Sequence, residues 1–177
     1  KVFVKTSFTN TINTFINKQP YESIMLPDNF IKAIKLIASK LKDRNIKWAL
    51  VGTANLTLQG LDVKPNDLDI VTLSNHIKIF EYLFKDYIIK PLFKKRSSTE
   101  SCPDYYVLLL DIEGVEVEIM GETEESLYFT KSGRGEITNI DLEDIQVSCL
   151  DLTSEAKAYE LLGRKDKAEM IREFIKP

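Results

Sequence analysis

The chain has 177 residues, 44% hydrophobic and 10% aromatic, with seven glycines and six prolines, enough apolar material for one core of ordinary domain size, which excludes a disordered, collagen-like or low-complexity chain. Lys plus Arg number 24 against 27 Asp plus Glu, a formal net charge of -3, so no global basic excess points to nucleic acid or anionic membrane, and any polyanion site must be local. Cys102 and Cys149 have neither metal-ligand spacing nor the density of a secreted disulfide scaffold; no apolar run nears the ~20 residues of a membrane span, and Lys1-Val2-Phe3-Val4-Lys5 lacks a signal-like apolar core, so free thiols, no membrane and a cytoplasmic location are expected.

Residues 1–26 read as an N-terminal extension, with a polar stretch through Gln19-Pro20. Pro27-Asp28-Asn29 then opens a segment with Phe30, Ile31, Ala33, Ile34, Ile37, Ala38 and Leu41 at helical spacing, which predicts an amphipathic helix ending near Arg44-Asn45. Ile46 to Val51, around Trp48, predicts a short strand with Trp48 in the core, stopped at Gly52; Thr53 to Leu61 predicts a short helix closed near Gly60. After the Pro65-Asn66 break, Leu68, Ile70 and Val71 predict a second strand, with Asp67 and Asp69 on one side of it. Ser74 is expected to cap a helix carrying Ile77, Ile79, Phe80, Leu83 and Phe84. His76, the sole histidine, carries no expected catalytic or metal role.

Lys94 to Thr99 reads as a basic, Ser-rich solvated loop, although Lys94, Lys95 and Arg96 could also grip a triphosphate or an RNA backbone. Tyr105 to Ile112 and Val115 to Met120, around Glu113-Gly114, predict a hairpin whose second strand sets Val115, Val117 and Ile119 against Glu116 and Glu118. Ser126 to Ile140 is expected to be irregular or weakly stranded, Ile145 to Leu150 to add a strand, and Asp151 to Lys176 to form two helices divided near Gly163, with Arg164, Lys165 and Asp166 joining them. The fold class expected is α/β (α+β): a small mixed sheet flanked by helices, with a C-terminal helix pair.

Two acids separated by one residue make a poor motif, since 27 acids in 177 positions give about four such pairs by chance. The chain has five, and Asp67/Asp69 stands apart as the pair fused to an apolar strand behind a strand, a Gly-Thr turn and a short helix. Residues two apart on a strand place carboxylates roughly 6.6 Å apart along it, and at about 7 Å they repel by roughly 2.4 kcal/mol at an effective dielectric near 20. Such a pair wants a cation or a proton. Mg²⁺ suits all-oxygen ligands that leave room for water and phosphates, and paired ions serve in-line phosphoryl displacement.

Leu50-Val51-Gly52-Thr53 through Gly60, followed by Pro65-Asn66-Asp67-Leu68-Asp69-Ile70, resembles the signature of the nucleotidyltransferase superfamily, the polymerase-beta-like fold. Val117-Glu118-Ile119-Met120 resembles its third acidic element, and Leu152 to Asp166 resembles the closing helices of the subgroup with abortive-infection-type members. The resemblance implies a catalytic domain over residues 27–150 with the helices of 151–177 packed on it. It also implies that Gly52, Thr53 and Arg96 meet a nucleoside triphosphate, and that Asp67, Asp69 and Glu118 hold Mg²⁺ or Mn²⁺ and form the catalytic set. Thr53 stands where Gly or Ser is commoner, and Glu118 where Asp is usual. The activity implied is transfer of a nucleoside monophosphate to a hydroxyl with release of pyrophosphate. The acceptor stays open among RNA, protein and small molecules. A metal-dependent phosphodiesterase or nuclease, or a non-catalytic relative acting with a protein partner in a toxin–antitoxin or phage-defence pair, is the alternative.

Overall fold

A computed structural model describes residues 26–96, 104–123, 127–131 and 136–176. The extension before Leu26, the end of the basic loop and Cys102 lie outside the described residues. Helix α1, Asp28–Leu41, buries Phe30, Ala33, Ile34, Ile37, Ala38 and Leu41, the stripe that a 3.6-residue period predicts. It stops short of the expected Arg44, with the backbone at Asp43 turning to φ 59°.

Strand β1, Trp48–Val51, is buried at every position, as a central strand covered on both faces requires. Helix α2, Gly52–Leu58, follows without a connecting residue. Strand β2, Leu68–Leu73, returns antiparallel to β1 with Asp69 opposite Val51. Helix α3, Ile77–Leu83, begins after His76 rather than at a Ser74 cap; the Ser74 N–H instead donates to the Glu122 carbonyl.

Strand β3, Ile88–Lys95, occupies residues that sequence reasoning leaves without an element. It is an edge strand, where a Pro such as Pro91 and repeated lysines are tolerated because one side needs no ladder partner. Strands β4, Tyr105–Ile112, and β5, Val115–Glu122, form the expected hairpin, with Glu113 and Gly114 both at positive φ. Strand β6, Ile137–Leu142, is regular where weak structure is expected, paired antiparallel to β7, Ile145–Leu150. Helices α4, Leu152–Leu161, and α5, Lys165–Ile175, divide at Gly163.

The seven strands make one mixed sheet in the order β3-β4-β5-β2-β1-β7-β6, with β2 parallel to β5 and β1 parallel to β7. The main core, including Trp48, Leu50, Ile70, Leu108 and Ile119, lies where α1 and α3 cover one face. The opposite face holds a smaller cluster of Ala49, Val51, Val71, Met120 and Leu150 against Phe129. Met120 therefore shares the side of Glu118, not that of Val117 and Ile119. A third cluster joins Leu56 and Leu61 to Ala156, Tyr159, Ala168 and Ile171, fastening the C-terminal helices to α2. Among the described residues no helix is long and apolar enough to cross a membrane.

Candidate active site

The less covered face of the sheet opens into a cavity of about 440 Å³. Thr53 enters it from α2, Asp67 and Asp69 from the start of β2, and Glu118 from β5. Lys95 and Arg96 at the end of β3, and Arg164 at the α4–α5 corner, also line it. Asp69 and Glu118 are direct partners across the parallel β2–β5 ladder, so their side chains leave the same face of the sheet on strands about 4.8 Å apart. Glu116 pairs with Asp111 and does not reach the cavity wall.

Asp69 is the electrostatic centre. Burial, and after it the negative charges of Asp67 and Glu118, push its carboxyl up to about 7, while Lys95 and Arg164 pull the other way. Crowded oxygen donors of this kind suit a hard divalent cation, which removes the repulsion at its source. Asp67 and Asp69 are the residues that fit such an ion. Glu118 is engaged elsewhere: Lys95 donates from Nζ to both of its oxygens, at 2.9 and 3.0 Å. Accordingly, among the described residues no three acidic, His or Cys side chains are drawn together closely enough to cage a metal.

Gly52 has a reason to be glycine that differs from the expected phosphate contact. Its φ is +71°, and a Cβ there would lie 2.4 Å from Asp69 Oδ2, so no side chain fits between the turn and the carboxylate. Its N–H donates to Glu155 Oε1 at 3.0 Å and is committed there. Thr53, one residue on, does face the cavity, and Lys167 Nζ lies 3.4 Å from its hydroxyl. Arg96 is exposed at the cavity rim. Lys94 turns to Asp104 at 3.1 Å.

Sequence reasoning misses two contributors. Glu155, only 1% exposed, sits in the first turn of α4 and accepts from Gly52 and, at 2.8 Å, from Asn55 Nδ2. Burial raises its carboxyl to about 8, against the lowering effect of those two hydrogen bonds. Nothing local marks it, because an acid near a helix start is ordinarily solvated. Arg164, expected only to join helices, also lines the cavity near the Tyr159 ring, 6.0 Å from its centroid.

The sequence matches the aminoglycoside-2''-adenylyltransferase family over residues 33–172. Among solved structures, a Thermotoga maritima protein described as a candidate nucleotidyltransferase, TM1012, superposes with a TM-score of 0.67 at 26% identity, covering 85% of this chain and 95% of that one. The antibiotic-resistance factor ANT(2'')-Ia, in its solution structure, superposes with a TM-score of 0.58 at 10% identity over 83% and 84% of the two chains, a likeness of fold. No curated protein matches the sequence.

Proposed function

The chain belongs to the aminoglycoside-2''-adenylyltransferase family of nucleotidyltransferases, and from that premise we propose that it transfers a nucleoside monophosphate, adenylate first, from a triphosphate to an acceptor hydroxyl. The observation that carries this reading is the gathering of Asp67, Asp69 and Glu118 in one cavity with Lys95, Arg96 and Arg164. Carboxylates suit a divalent cation, and the cations of the same cavity suit a polyphosphate.

Asp67 and Asp69 are the residues that would hold Mg²⁺ or Mn²⁺. Bound there, the ion would offset phosphate charge and make the acceptor hydroxyl easier to deprotonate. Arg96 and Arg164 would take the phosphate oxygens by charge-assisted hydrogen bonds, and the Thr53 hydroxyl would contact the same group. The acceptor oxygen attacks the α-phosphorus, the α–β bridging bond breaks, and pyrophosphate leaves. Glu118, the ladder partner of Asp69, would receive the hydroxyl proton once freed from Lys95. No covalent enzyme intermediate is needed.

The family description supplies the acceptors to try first, aminoglycosides with a free 2''-hydroxyl. The test is incubation with α-labelled ATP and Mg²⁺, with and without such acceptors. Label transferred to an acceptor together with pyrophosphate release supports the reading. Acceptor-independent hydrolysis would favour the phosphodiesterase alternative, and no turnover of any triphosphate would favour a non-catalytic role.

A further inference from the structure

Lys95 ends the edge strand β3, and its ammonium lies within hydrogen-bond reach of both oxygens of the third cavity carboxylate, Glu118. The pair is partly covered, with side-chain exposures of 43% for Lys95 and 21% for Glu118. Tyr105, opposite Lys95 in the β3–β4 ladder, sets its ring 5.7 Å from the ammonium. Lys95 also acts electrostatically on Asp69. The other cavity cations differ: Arg164 lies by Tyr159 and Arg96 is at the rim.

A lysine at an edge-strand terminus can move without disturbing a packed layer, and its ammonium is a point charge on a flexible stem that exchanges partners easily. A triphosphate brings more negative charge than one carboxylate. A divalent cation, in turn, competes directly with an ammonium for carboxylate oxygens.

We propose that Lys95 is an exchanging counter-ion: it covers Glu118 in the free protein and passes to the phosphates when a nucleotide binds, releasing Glu118 to the divalent cation and the acceptor. The inference rests on the nucleotidyl-transfer reading and adds an order to it. The third carboxylate becomes available only once a triphosphate is present, which guards the site against assembling around metal alone.

The test is calorimetric titration with Mn²⁺ alone, and separately with ATP in EDTA, on the parent, Lys95→Met, Glu118→Gln and the double variant. Lys95→Met is expected to bind Mn²⁺ about tenfold more tightly than the parent, within the usual range of coupling between sites, and to bind metal-free ATP at least about fivefold more weakly. In the Glu118→Gln background the same Lys95 change should leave Mn²⁺ affinity unaltered, because the effect runs through that carboxylate. An equal gain in both backgrounds reports general loss of positive charge and overturns the exchange, as does unchanged Mn²⁺ or ATP affinity in Lys95→Met. Should Lys95→Met not fold, Lys95→Gln carries the same expectations. A parent that binds neither Mn²⁺ nor ATP removes the nucleotidyl-transfer reading itself, whereas a parent that binds both, matched by Lys95→Met, removes the exchange alone.

Discussion

Asp69 sits where stability and function pull in opposite directions. Its carboxyl is raised from 3.8 to about 7 on folding, so the folded state holds a proton that the unfolded chain releases. Its contribution to stability is full below about pH 4 and is lost as pH rises through about 7. Asp69→Asn removes that loss while keeping volume. In metal-free buffer at pH 8 the variant should melt at or above the parent's temperature, yet bind no Mg²⁺-ATP by calorimetry; binding equal to the parent's would dismiss Asp69 as a ligand. Gly52 presents the reverse case. Gly52→Val places a branched side chain at φ +71° and against Asp69 Oδ2, which should cost about 2 kcal/mol or more in urea unfolding and abolish Mg²⁺-ATP binding. Parent-like values for both would mean that a side chain is tolerated at this turn and that Gly52 is not needed beside Asp69. For the third acid, Glu118→Gln should lower transfer at least about 100-fold, on the scale of a lost proton-handling or metal group. Glu116→Gln, outside the cavity wall, should stay near the parent rate. Equal losses would return the register of β5 to question.

The unit around the site is the contact between α2 and α4, and it turns on one buried carboxyl. Glu155 joins Gly52 and Asn55, while Asn55 and Gln59 both donate to the Leu150 carbonyl just ahead of α4. Glu155→Leu leaves the Gly52 N–H and one Asn55 Nδ2 N–H without an acceptor, at about 1–3 kcal/mol each, and should lower the urea midpoint severely; Glu155→Gln keeps one acceptor oxygen for the two donors and should lower it less. Burial raises the Glu155 carboxyl from 4.5 to about 8, so its contribution is present below about pH 4.5 and is lost as pH rises through about 8. The parent should therefore lose stability across that window more steeply than Glu155→Gln, and parallel pH curves would contradict a protonated Glu155. The strand-turn-helix-strand run from β1 to β2 was readable because Gly52 and Pro65-Asn66 interrupt apolar runs at the element boundaries. Strand β3 was not, because an edge strand needs no unbroken apolar alternation and its lysines and Pro91 imitate a loop. Glu155 was hidden for a different reason: its partner Gly52 is 103 positions away, a distance no local pattern spans. Asp67, Asp69 and Glu118 stood out only because strand periodicity and family resemblance agreed on them.

Across the whole molecule, the cavity draws on residues from Thr53 to Arg164 and on both ends of the folding unit: the β3 edge, the central β2–β5 ladder and the α4–α5 corner. A ligand held there ties the C-terminal helices to the sheet through a third set of contacts beside the Leu56–Ala156–Ile171 cluster and the Glu155 hydrogen bonds. Its binding free energy should therefore stabilise the chain as one cooperative body. Saturation at 100 times the dissociation constant contributes about 2.7 kcal/mol, and for a domain of this size each kcal/mol moves the melting temperature by about 2–4 °C. ATP with Mg²⁺ should accordingly raise the single melting transition by about 5–10 °C. Mg²⁺ alone should do little, because Lys95 still holds Glu118, and ATP in EDTA should give a smaller shift, because the carboxylates then repel the phosphates. Asp69→Asn should show no Mg²⁺-dependent part of the shift. If ATP moves the transition equally with Mg²⁺ and with EDTA, the acidic wall takes no part in binding nucleotide; if the transition splits and only its lower half moves, α4 and α5 melt apart from the sheet and the cavity is not a single unit.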